Sequence, residues 1–255
     1  MAAGRAHRIR ITKLQLGTPR PDEPARGGGA AGASAPTIGL VACAAGPGLA
    51  ELFAGAGAAV VRGGPGGRAS TGQLLEAVRA TGSAQVALLP NDPETLGVAR
   101  AAATLAREEG IQLSVVATRA QVQGLAAAAV HSTSRTFSDD VAEMSAAAAA
   151  TRDGAVTIAA RDGLTSAGPC TRGEALGGVD GDFAVVGGDL GDVAVEVVQR
   201  LLSGGGELVT LVVGEGGHEE LAERVAREVR QQHRHVEVSV LAGGQPRYPL
   251  LIGVE

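Results

Sequence analysis

The chain has 255 residues, 45% of them hydrophobic, and a formal net charge of −5 from 22 basic and 27 acidic side chains. That length suits one large or two modest domains, and the apolar content excludes a disordered chain. Aromatic residues make up only 2%, with no Trp, and the arginines are dispersed, so stacking platforms for single strands and a basic face for duplexes are both missing and nucleic acid is excluded as a partner.

No apolar run reaches the roughly 18 residues of a membrane helix. Two isolated cysteines, Cys43 and Cys170, and a polar, Arg-rich start predict a reduced, cytoplasmic setting. Glycine is abundant, at 39 residues, without the third-position period of collagen, which predicts many tight turns.

Positions 7–14, His-Arg-Ile-Arg-Ile-Thr-Lys-Leu, alternate basic and apolar side chains as a short strand does. Residues 15–36 hold Pro21, Pro24, Gly27, Gly28, Gly29 and Gly32, with too little apolar surface to offset their ordering entropy, and are expected to be a flexible linker. A strand beyond a linker has nothing to pair with. Residues 1–14 are therefore expected to be the end of a preceding domain whose N-terminal part is missing.

From Thr37 onward, apolar runs alternate with helical segments, the pattern of βαβ units and a parallel sheet. A strand over 38–42 ends at Gly46-Pro47-Gly48, which opens a helix carrying Leu49, Leu52 and Phe53. A second strand over 58–61 leads into Gly63-Gly64-Pro65-Gly66-Gly67. Ser70 with Gln73 three residues on forms a capping box for a helix through Ala80. After a strand over 85–89, Asp92 is the expected N-cap and Pro93 the first position of a helix reaching Glu108. A strand over 113–117 and a helix over 120–131 complete a first α/β subdomain, residues 37–132.

Residues 133–255 read as a second α/β subdomain. An Ala-rich helix over 138–151 follows Phe137; strands over 155–160 and 183–186 flank a Gly-rich stretch with no assigned element. A helix over 190–202, a strand over 208–213, a helix over 219–231 and strands over 236–241 and 250–254 follow. Glu220/Arg224 and Glu223/Arg227 stand at i,i+4 in the penultimate helix, a pairing that supports it. A weak echo links the halves: Gly63-Gly64-Pro65 and Gly243-Gly244-Gln245-Pro246 each follow an apolar strand, where backbone fits and side chains clash.

Nucleotide motifs fail in turn. Gly46-Pro47-Gly48 stands where a Rossmann turn belongs, but Glu51 takes the place of the third glycine and aims a carboxylate at the pyrophosphate position. A P-loop needs Gly-Lys-Ser/Thr, and the one lysine, Lys13, precedes the domain. Asp139 and Asp140 are adjacent at a helix start and favour the macrodipole rather than hold Mg²⁺. His233 and His235 on one side of an extended segment have a spacing zinc sites use, yet no third ligand is in view, and a solvated helix-to-strand turn is the simpler reading. Cys43 reads as a small core residue, Cys170 as an incidental loop thiol, and Ser166 lacks the strand-turn-helix of a nucleophile elbow. No catalytic set and no metal site is expected.

What remains are turns at the carboxyl ends of parallel strands, where open α/β sheets bind ligands. These are Gly63 and Gly64 through Ser70 and Thr71, then Asn91, then Thr118 with Gln123 and Gly124. Helix-start N–H groups there suit an anion, and the same residues also serve as caps.

These turns carry a family likeness. The run from Gly39 through Gly46, Gly48 and Phe53, the Leu89-Pro90-Asn91 turn, Thr118 with Gln123-Gly124, Val156-Thr157 leading to Arg161-Asp162, and the ending from Gly243-Gly244-Gln245 to Glu255 resemble the C-terminal domain of the large subunit of bacterial fatty acid kinase. That family is also labelled DAK2 or dihydroxyacetone-kinase-like. The likeness covers residues 37–255, with the ending its most specific part; residues 7–14 resemble the close of the family's middle domain. One departure is the loop Gly63 to Ser70, which keeps the family's glycines and serine and loses its polar middle.

The resemblance implies a DegV-like, two-lobed α/β fold. It further implies that a kinase domain outside this chain uses ATP and Mg²⁺ to phosphorylate a fatty acid carried by a separate DegV-like acyl-binding protein. This chain is then expected to hold no cofactor, to catalyse nothing alone, and to dock the acyl carrier and the kinase domain. Gly63, Gly64, Ser70, Thr71, Asn91, Thr118, Gln123, Gly124, Arg161, Asp162, Gly243, Gly244 and Gln245 are the expected partner- or anion-binding residues. Two alternatives are a lipid or small-molecule binder in the cleft between the subdomains, and a phosphotransferase by family name.

Overall fold

A computed structural model of the protein describes residues 38–63 and 68–255. The strand expected over 7–14, the linker over 15–36 and Gly64 lie outside these residues.

The first sheet is built from β1 (Ile38–Ala44), β2 (Ala59–Arg62), β3 (Gln85–Leu89) and β4 (Gln112–Val115), all parallel in the order β2-β1-β3-β4. The connecting helices are α1 (Pro47–Gly55), α2 (Thr71–Ala80) and α3 (Thr95–Glu108). Central β1 is apolar throughout because both of its faces are covered. Ile38, Leu40, Ala42 and Ala44 point to a core shared with Leu49 and Phe53 of α1, while Val41 and Cys43 point to the opposite core under α2 and α3. Helix α3 starts later than expected. Asp92 is not its N-cap: its carboxylate accepts from the Glu94 N–H at 3.0 Å and from the Thr95 hydroxyl, so Asp92 and Pro93 form the turn before the helix.

Helices α4 (Gln121–Val130) and α5 (Phe137–Ala150) follow, and Phe137, Met144 and Ala148 of α5 pack into the β1–α1 core. Thr136, whose hydroxyl accepts from the Asp139 N–H, is the α5 N-cap, which makes Phe137 the first helical residue.

The second sheet contains β5 (Arg152–Ile158), β8 (Ala175–Val179), β9 (Asp182–Gly187), β10 (Leu208–Val213), β11 (Glu237–Ala242) and β12 (Leu250–Val254), in the order β11-β10-β12-β5-β8-β9. Only β10 and β11 pair in parallel, joined by α7 (Glu219–Gln232); the remaining pairs are antiparallel. Val193, Val197 and Leu201 of α6 (Leu190–Leu202) and Val225 and Val229 of α7 cover one face of this sheet. Arg224 does not pair with Glu220 along α7. It reaches Asp189 and Asp192 at the start of α6, at 2.8 and 2.5 Å.

The stretch with no expected element folds as β6 (Gly163–Thr165) and β7 (Gly168–Cys170), an antiparallel hairpin, followed by β8. Its glycines hide the pattern. A Cβ at Gly177 would lie 2.5 Å from Val197 Cγ2, so the strand needs glycine to admit α6.

The two sheets meet through apolar side chains. Val212, Leu241 and Leu251 of the second join Val122 of α4 and the β1–α1 core, and Val122 lies against Gly253 of β12.

Candidate functional site at the junction of the two sheets

From β1 the chain crosses by α1 to β2 on one side and returns by α2 to β3 on the other, so the strand order reverses between the parallel strands β1 and β3. The crevice outside the carboxyl ends at such a switch is the ordinary ligand position of an open α/β sheet. Here protein fills it. Asn91, two residues beyond β3, is 3% exposed with φ of 58°, a left-handed conformation Asn tolerates. Its Nδ2 donates to the Cys43 carbonyl at 2.8 Å, and its N–H donates to Thr118 Oγ1 at 3.0 Å. Gln121 bridges the gap, its Nε2 donating to the Asn91 carbonyl at 3.2 Å while its Oε1 accepts from the Ala45 N–H at 3.4 Å.

Gly124 lies directly against this amide: a Cβ there would overlap Asn91 Oδ1. Beside it in α4, Gln123 Oε1 accepts from the Arg119 N–H at 2.8 Å and Nε2 donates to the Thr151 carbonyl at 3.2 Å, tying α4 to the junction of α5 and β5. Asn91, Thr118 and Gly124 thus form one cluster with Gln121, while Gln123 bonds away from it.

The loop after β11 completes the crevice. The Leu49 N–H in the first turn of α1 donates to the Gly243 carbonyl at 3.0 Å. A Cβ at Gly46 would lie 2.5 Å from the Gln245 nitrogen, and one at Gly48 would overlap the Ala242 carbonyl oxygen. Gln245 is 1% exposed, its Nε2 donating to the carbonyls of Val212 at 3.0 Å and Tyr248 at 3.1 Å. Gly63 joins from the other side, its N–H donating to the Ala44 carbonyl at 3.2 Å. Glu51, expected to aim at a pyrophosphate position, is exposed on α1, and it is the loop backbone that lies against the glycine turn.

Other expected residues stand elsewhere. Ser70 and Gln73 form the capping box of α2, with Thr71 as the first helical residue. Asp162 accepts from the Arg172 N–H at 2.8 Å beside the β6–β7 hairpin, and Arg161 is exposed next to it; neither hydrogen-bonds to the crevice cluster among the described residues.

Two features escape sequence reasoning. Gln121 carries no distinguishing signal, because a glutamine at a helix start fits no particular pattern. Asp140 does more than favour the helix macrodipole. It is fully buried, with Oδ2 2.7 Å from His131 Nδ1 and Oδ1 accepting from the Ser132 N–H at 2.7 Å, so it closes the α4–α5 turn. Burial and the nearby Asp92 carboxylate push the Cys43 thiol up to about 12, which leaves it protonated and inert. His233 and His235 flank a turn closed by the Val236 N–H on the His233 carbonyl, not an extended segment, with ring centroids 6.2 Å apart. No group of three His, Cys, Asp or Glu side chains placed to hold a metal occurs among the described residues.

Residues 39–255 match the model of the FakA-like C-terminal family of fatty acid kinases. The chain belongs to this family. This FakA-like domain is 27% identical over 218 residues to YloV of Bacillus subtilis, covering 85% of the chain and 39% of YloV. It is 25% identical over 217 residues to SH1689 of Staphylococcus haemolyticus, again 39% of that protein, so the chain spans well under half the length of these relatives.

Among solved structures the domain is similar to DegV family protein Cg2579 of Corynebacterium glutamicum, with TM-score 0.61 and 13% identity over 86% of this chain and 98% of that one. It is also similar to the Fak B3 protein of Streptococcus pneumoniae, solved with linoleic acid, with TM-score 0.54 and 13% identity over 73% and 76% of the two chains. The fold is DegV-like, with two α/β lobes. Among the described residues no helix is long and apolar enough to cross a membrane.

Proposed function

We propose that this FakA-like domain is a non-catalytic scaffold that docks a DegV-like acyl-binding protein, so that a DAK2-type kinase domain outside this chain phosphorylates the acyl carboxylate. In this reading ATP and Mg²⁺ belong to the kinase domain. The observation that carries it is a pairing of family and chemistry. The chain matches the C-terminal part of a fatty acid kinase, while most polar groups where its sheet would take a substrate are bonded to one another, the side-chain oxygens of Asn91 and Gln245 excepted.

An outer face supports the same reading. Leu164, 85% exposed on the β6–β7 hairpin and close in sequence to Arg161 and Asp162, is the apolar contact that face offers a partner. Ser70 and Thr71 offer a second, polar edge at the start of α2. Two buried free thiols accord with a cytoplasmic setting.

Calorimetry of the full chain against an acyl-loaded DegV-like protein of the same organism tests the proposal. Saturable heat with Kd at or below about 50 μM is expected. Flat titrations at that concentration would overturn it, as would Mg²⁺-dependent ATP hydrolysis by this chain alone.

A further inference from the structure

We infer that residues 242–245 are a built-in plug: the loop occupies the place where a sheet of this topology takes its ligand, and turns the crevice at the carboxyl end of β1 into an internal joint. The inference deepens the docking proposal, and rests on it only in assigning recognition to the outer surface.

The backbone hydrogen-bonding groups at the crevice are met within the chain, while two buried side-chain oxygens, Asn91 Oδ1 and Gln245 Oε1, have no partner. The Cys43 carbonyl, the Ala45 N–H, the Leu49 N–H and both backbone groups of Asn91 each have a partner from Asn91, Gln121, Gly243 or Thr118. Helix α1 has neither a side-chain cap nor an acidic residue in its first turn. The Gly243 carbonyl sits there instead, its partial negative charge standing in for the anion that a helix N-terminus attracts.

The backbones meet closely. Gly46 and Gly48 meet the loop backbone where no Cβ could stand, and Gly244, with φ of 62°, lies against Pro47, where a Cβ would be 3.0 Å from Cγ. Behind the loop, Val122, Val212, Leu241 and Leu251 fill the space between the sheets with their own side chains. The loop is itself anchored: the N–H groups of Gly243 and Gly244 both donate to the Val213 carbonyl, at 2.8 and 2.9 Å. An acyl chain entering this crevice would have to displace backbone hydrogen bonds and a packed core together, which argues against the lipid-binder alternative.

Two measurements on the full chain test the plug, neither involving a partner. Titration with cis-parinaric acid is expected to give no saturable fluorescence up to about 50 μM. Hydrogen exchange is expected to show the Leu49 and Gly243 amides among the slowest in the protein. In Gly48→Ala, whose methyl group meets the Ala242 carbonyl, exchange over 46–50 and 242–249 should accelerate at least about tenfold while β8 and β9 keep wild-type rates.

Gly55→Ala, on the same helix with nothing within 4 Å, should change neither region. Saturable parinaric acid binding by the wild-type chain, rapid exchange at Leu49 and Gly243, or a folded Gly48→Ala variant with unchanged exchange would each overturn the plug. If Gly48→Ala does not fold, the wild-type titration and exchange still decide. Loss of carrier docking alone counts against the docking proposal and leaves the plug standing.

Discussion

The amide of Leu49 donates to the carbonyl of Gly243 across the junction of the two sheets, at 3.0 Å. A helix start that would otherwise offer an unsatisfied donor to a ligand is thereby capped by the protein's own backbone. On the helix side Gly46 and Gly48 meet the loop backbone; on the loop side a Cβ at Gly243 would overlap the Gln245 and Val212 side chains, and Gly244 has a left-handed φ of 62°. Gly46 and Gly48 thus follow from the close approach of two backbones rather than from flexibility.

Gly124→Ala isolates the neighbouring contact. The new methyl group overlaps Asn91 Oδ1, a buried oxygen without a hydrogen-bond partner, and outweighs the gain in helix propensity of about 1 kcal/mol. We expect a net loss of about 2 kcal/mol or more by urea denaturation. An unchanged midpoint would show that the α4 contact yields freely.

Asp140→Ala removes the acceptor for both the His131 ring and the Ser132 N–H. Asp140 is fully buried and His131 and Ser132 are partly buried, so these groups lose their partner with only partial access to water, and a loss of about 2 kcal/mol is expected in the same assay. Asp140→Asn keeps an acceptor oxygen and should recover part of that loss.

Asp153 gives the chain a pH dependence of definite sign. Burial first, then the Asp180 carboxylate, raise its pKa above the ordinary 3.8, against a smaller lowering by Arg119. The folded state therefore binds this proton more tightly than the unfolded state does, and stability from this group is present at low pH and lost as pH rises from 3.8 through the folded value. Asp153→Asn should stabilise the protein at pH 7 relative to wild type and have little effect near pH 3, read from paired denaturation curves.

Thiol titration checks the reading of the cysteines. Cys43 and Cys170 are 8% and 6% exposed, and the Cys43 thiol is held at about 12. Ellman's reagent at pH 8 should find no reactive thiol in the native chain and two after guanidinium denaturation. Rapid native labelling at Cys43 would require the core under α2 and α3 to open.

Part of this protein follows from its sequence alone. The helix over 190–202 and the strand over 208–213 have the expected bounds, because Asp189 caps a segment with apolar residues at helical spacing and the strand is an unbroken β-branched and leucine run. The family likeness likewise rests on short motifs that a sequence displays directly. Other elements were invisible for a local reason: β6, β7 and β8 are short and rich in glycine, which has no side chain to show an alternating pattern.

Tertiary structure alone decided what the strand-end turns do. Asn91 and Gln245 are recognisable as loop residues, yet their donors reach Cys43 and Val212, far away in the chain. The same turn chemistry serves a ligand in an open crevice or a neighbouring backbone in a closed one. Which of the two occurs depends on whether another segment arrives at that distance, and local periodicity and capping carry no information about distance between remote segments.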